Sequence, residues 1–146
     1  MGRESLGMKK VLLAAILLTT TVLADPAPFG AKFDKPYKKE RDKDGIAYSY
    51  EHGTPAQSQL VVVLNKQLSL PALKAYTLKA MPPNLGHYEE KSTRVSNHPA
   101  IQLEGMNEQG VPYSVLLVNI KGQSVMAGSA TYDMAANRAF IHSLKL

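Results

Sequence analysis

Four histidines, His52, His87, His98 and His142, and a scatter of carboxylates are the side chains from which a metal site or an acid–base pair could be built. His87, Glu89 and Glu104 would be competent ligands if neighbouring strands gathered them. The spacing does not favour this: the histidines lie far apart and none has a carboxylate at motif distance, so the plainer reading leaves these residues on solvent faces. Ser143 adjoins His142, yet neighbours on a helix point about 100° apart and cannot form a hydrogen-bonded nucleophile pair. Glu89 and Glu90 project to opposite faces of a strand, so they do not work together as acid and base. A glycine-rich phosphate loop, an H-E-x-x-H helix, calcium-loop spacing and a G-x-S-x-G elbow are all missing. The chain has no cysteine, which removes thiol catalysis, thiolate ligands and a lipidated N-terminal cysteine. The expectation is a protein that is not an enzyme, with no catalytic residue, no cofactor and no metal.

Tyrosines are the more informative population: seven are present and tryptophan is absent. A tyrosine has an apolar body and a polar tip, suited to a core margin or to an interface. Most fit the first description. Tyr48 and Tyr50, which share a strand face with Ile46, are the candidates for an interaction surface.

The elements that must position these residues follow from periodicity. Asp44-Gly45 is turn chemistry, and "IAYSYEH" alternates as a first strand. "QLVVVLN" is a branched apolar run, expected of a central strand buried on both faces. In "LSLPALKAYTLKAMPPN", Ser69 is an N-cap and Pro71 lies in the first turn. Leu70, Leu73, Tyr76, Thr77 and Ala80 fall at helical spacing, and Pro82-Pro83 end the helix. "HYEEKSTRV" is polar on both sides and reads as an edge or solvent-facing strand. "AIQLEGM", "VPYSVLLVNI" and "SVMAGSATY" follow, separated by "NEQG" and "KGQ" turns. In "YDMAANRAFIHSLKL", Asp133 caps a last helix whose Met134, Phe140, Ile141 and Leu144 form one apolar stripe, with Arg138 and His142 outside it. The expected fold class is α+β, an antiparallel sheet with two helices packed against it in a single domain.

The chain start carries an address. Lys9 and Lys10, the apolar "VLLAAILLTTTVLA" and the small residues Val22-Leu23-Ala24 fit a secretory signal peptide over 1–24, with Met8 a second candidate start. The apolar run falls short of the about 20 residues a spanning helix needs. Residues 25–44, with "KKERDKDG" mixing both signs, read as a polar flexible arm, and 45–146 as the α+β domain. Removing Arg3, Glu4, Lys9 and Lys10 lowers the formal charge from +5 to +3, which is no nucleic-acid footprint.

The C-terminal half, from "VSNHPAIQLEGM" to the end, resembles the PsbP-like and DcrB-like superfamily. The residues that carry the likeness are Asn97-His98-Pro99-Ala100, where that superfamily has a G-x-P-A-like turn, and Phe140-Ile141-His142-Ser143-Leu144, which follow its terminal F-(I/L)-x-S-(L/F) signature. Asparagine and histidine precede Pro99 in place of the usual glycine. The resemblance implies a fold shared by assembly and docking proteins, with no catalytic residues to carry over. Together these readings give an exported periplasmic or secreted protein. It is expected to be a non-enzymatic accessory, adaptor or inhibitor-type module that binds an envelope or secreted protein, without nucleic acid and without stable membrane insertion after signal removal. The alternative is a small apolar ligand carrier using a cleft between sheet and helix.

Overall fold

A computed structural model describes residues 21–22, 27–80 and 85–146. The rest of the proposed signal segment and the Pro82-Pro83 helix stop lie outside the described residues. One antiparallel sheet organises the domain. Its strands are β1 (Thr21–Val22), β2 (Tyr37–Arg41), β3 (Gly45–Thr54), β4 (Gln57–Leu64), β5 (His87–Val95), β6 (His98–Met106), β7 (Pro112–Ile120) and β8 (Gln123–Ala130), in the spatial order β1-β2-β3-β4-β8-β7-β6-β5. Helix α1 (Leu70–Ala80) connects the two halves and α2 (Met134–His142) closes the chain. β1 falls within the segment expected to be cleaved at Ala24, so cleavage there would leave seven strands with β2 at the margin.

Alternation along the central strands sends neighbouring residues to opposite layers. Leu60, Val62 and Leu64 of β4 join Val115 and Leu117 of β7 in a core that includes Leu73 of α1. Val61 of β4 joins Leu116, Val118, Val125 and Ala127 in a second core with Phe140 and Ile141 of α2 and Leu144 just beyond it. The two helices therefore cover opposite faces of the sheet, and the unbroken "VVV" run is apolar because both of its faces are buried. Ser69 Oγ accepts from the Ala72 amide at 3.2 Å at the start of α1, and Asp133 Oδ1 accepts from Ala136 at 3.2 Å at the start of α2. Two hairpins turn on paired left-handed residues, Lys121-Gly122 (φ 52° and 83°) and Ser96-Asn97 (φ 48° and 70°), the geometry that matches strand twist. In the β2–β3 turn, Asp42 Oδ1 accepts from the amides of Asp44 and Gly45. A side chain at Gly45 would run into the β4 backbone, its Cβ only 2.1 Å from the Val63 carbonyl oxygen.

The segment 25–44, expected as a flexible arm, is a correction. Its residues 37–41 form β2, paired to β3 from Lys38↔Ser49 to Arg41↔Ile46. The part before β2 is tied across the α2 face. Lys32 N donates to Ser143 Oγ at 3.1 Å, Asp34 N donates to Gln59 Oε1 at 2.8 Å, and the Phe33 ring meets Phe140 edge-on at 5.1 Å. The physical reason is that Phe29, Phe33 and Tyr37 recur every four residues between the charges, and these rings fill the sheet face beside α2. Charge-rich average composition concealed a sparse apolar pattern.

Candidate functional site

The strand register places His87, Glu89 and Glu104 on one sheet face, since Glu89 pairs with Glu104 and His87 with Met106. Glu104 is nevertheless fully engaged. Its Oε2 accepts from Arg138 Nε (2.9 Å), Gln102 Nε2 (2.8 Å) and Ser114 Oγ (2.8 Å), and its Oε1 accepts from Arg138 Nη2 (2.9 Å). These bonds, Arg138 foremost, hold its carboxyl down at about 2. Glu104 thus anchors α2 to the sheet, while His87 and Glu89 are exposed. No group of three or more metal-competent side chains occurs among the described residues. Glu90, on the opposite face from Glu89, takes Lys74 Nζ of α1 at 2.7 Å. Ser143 Oγ donates to the Phe140 carbonyl at 2.6 Å and serves as a helix terminator beside exposed His142.

Sequence reasoning missed two polar features. Asn137 lies wholly buried in the apolar stripe of α2. Its amide donates to the carbonyls of Pro112 and Thr131, and its Oδ1 accepts from the hydroxyls of Ser129 and Thr131. The signal available was its position, three residues before Phe140 on the inward face. The second is Glu40, opposite Ala47 on the α1 side of β2. Its Oε2 is buried without a hydrogen-bond donor, and burial, helped by Asp42, pushes its carboxyl up to about 7. Nothing could flag Glu40 until residues 37–41 were known to be a strand.

The tyrosine pair separates. Tyr48 joins the α2-side core, 5.9 Å from the Tyr37 ring, with Lys39 Nζ 5.9 Å from its own centroid. Tyr50 stays half-buried at the sheet margin, stacked edge-on with His52 at 4.6 Å, and His52 Nε2 lies 3.5 Å from Asp34 Oδ2. An open groove there is lined by Pro36, Lys38, Ser49, Tyr50, Glu51 and Gly53. A more enclosed hollow sits on the α1 side at the same end of the strands, between Leu85, Asn107, Tyr113 and Gly128, and has room for about one water. The Tyr113 hydroxyl lines that end without a hydrogen-bond partner, and burial pushes it up to about 12. No described helix is long and apolar enough to cross a membrane. No family model matches the chain, and no curated protein matches it.

Proposed function

We propose that the chain is an exported, non-enzymatic module that binds another protein of the cell envelope, with Tyr50 at the centre of the contact. The observation that carries this reading is the open groove around Tyr50. It brings a cation at Lys38 and an anion at Glu51 onto one concave margin, with the Tyr50 ring on the opposite, α2-side face of the same strand end beside His52. A margin with opposite charges on one face and a ring on the other suits a polypeptide segment that wraps it, because the ring supplies contact area and the charges fix register.

A photocrosslinking residue at position 50, tested in envelope extracts, should capture one protein reproducibly. Tyr50→Ala with unchanged melting temperature should release the same protein in a pull-down. Recovery of the uncoupled chain alone would overturn the binding proposal. Export is tested separately by N-terminal sequencing, which should give a first residue within about two positions of Asp25. An intact Met1 or Met8 terminus in the envelope fraction would overturn it.

A further inference from the structure

We propose that β5 is a self-pairing edge, and that two copies of this chain join their sheets antiparallel through it, with Ser92 on the two-fold axis. β5 is the terminal strand of the sheet and is paired on one side only, to β6, in unbroken register from His87↔Met106 to Val95↔His98. It is long, straight in register and free of proline. Edges that avoid pairing carry short strands, bulges, proline or unmatched charges; of these β5 has charges alone, and whether they repel depends on register. No described strand covers its outer side.

Charge selects the occupant and the register. A two-fold axis normal to the sheet must pass midway between the two facing copies of one β5 residue, so each choice of centre fixes every cross-strand pair. Centring on Lys91 sets two ammonium groups opposite each other, and centring on Glu90 sets two carboxylates opposite each other. Both are unfavourable between directly facing residues. Centring on Ser92 puts two hydroxyls on the axis and sets Glu90 of each copy against Arg94 of the other, so two opposite-charge pairs form. Both side chains retain capacity for it. Lys74 occupies Oε1 of Glu90, leaving Oε2, and Arg94 donates to the Asn97 carbonyl through Nη2 alone, leaving the rest of its guanidinium fork. Glu90 and Arg94 lie on the α1 side of the sheet, where Leu103 and Pro99 are their β6 partners. The partner-binding groove at Tyr50 lies at the opposite margin, so self-pairing stands independently of that reading.

The absence of native cysteine makes a direct test clean. Facing residues of an antiparallel pair approach to about 4.5–5.5 Å between Cβ atoms, near the range a disulfide spans. The chain as purified from cells should sediment as a concentration-dependent monomer–dimer mixture. Ser92→Cys should yield a covalent dimer on mild oxidation, and Lys91→Cys should do so at least about tenfold more slowly. Glu90→Arg should raise the dimer dissociation constant about tenfold or more, as two favourable pairs become repulsive. The double exchange Glu90→Arg with Arg94→Glu should restore it, a result that a merely misfolded variant could not give. A monomer at all concentrations, equal crosslinking of Ser92→Cys and Lys91→Cys, or a dimer indifferent to Glu90→Arg would each overturn the proposal.

Discussion

Glu40 and Glu104 are two carboxyls of the same kind driven in opposite directions, and their pH signatures should differ accordingly. Glu40 has a folded value raised to about 7, so the folded state holds its proton more tightly than the unfolded chain does. Below about pH 4.5 both states are protonated and no penalty exists; the penalty grows as pH rises through 7. Glu40→Gln should therefore stabilise the protein at pH 8, by about 1 kcal/mol once solvent screening of this partly exposed group is allowed for. At pH 4 the gain should vanish. Urea melts at the two pH values check this, and an equal gain at both would refute the assignment. Glu104 is depressed to about 2, so its contribution is present above pH 4.5 and is lost as pH falls toward 2. Glu104→Gln should flatten that acid limb in a stability-against-pH curve.

At the scale of elements, α2 is a lid on the protein's own core. Phe140 and Ile141 are 2 % and 0 % exposed, and His142 beside them faces solvent. Phe140→Ala should cost about 3–5 kcal/mol through lost burial and a cavity. His142→Ala should stay within about 0.5 kcal/mol. Denaturant melts of the pair provide the check. α2 was legible because an N-cap, a stripe of the right width and exposed charges agree along a short window. β4 was legible because branched apolar residues with no polar alternation demand a central position. The polar strand β5 was correctly an edge for the converse reason. β2 was not legible, because a single inward Tyr37 among "KKER" is a weak period-two signal that only pairing to β3 converts into a strand. The site suffered from the same limit. Tyr48 and Tyr50 share a strand face in sequence, but which of them meets solvent depends on Tyr37 and Phe33, residues assigned to the arm.

The whole molecule rests on packing between one sheet and two opposed helices, with its best ligand candidate, Glu104, engaged by Arg138, Gln102 and Ser114. Chelator treatment should accordingly leave the thermal midpoint unchanged, since a structural metal would contribute folding free energy that chelation removes. A fall of several degrees, reversed by added zinc, would overturn that expectation.

The sheet order has a further consequence, for the time course of assembly. β2 to β4 form neighbouring hairpins, and β5 to β8 form a second run of neighbouring hairpins, but the two are joined only where β4 meets β8, as at Val61↔Ala127. That seam links residues far apart in the chain, so its loop-closure entropy must be overcome before its contacts give any return, and such topologies fold slowly. In a chain that crosses a membrane N-terminus first, as proposed for export, the "VVV" strand emerges long before β8 can cover its open edge. During that interval a central apolar strand is unprotected, and this is the window in which aggregation or a holding chaperone would compete with folding.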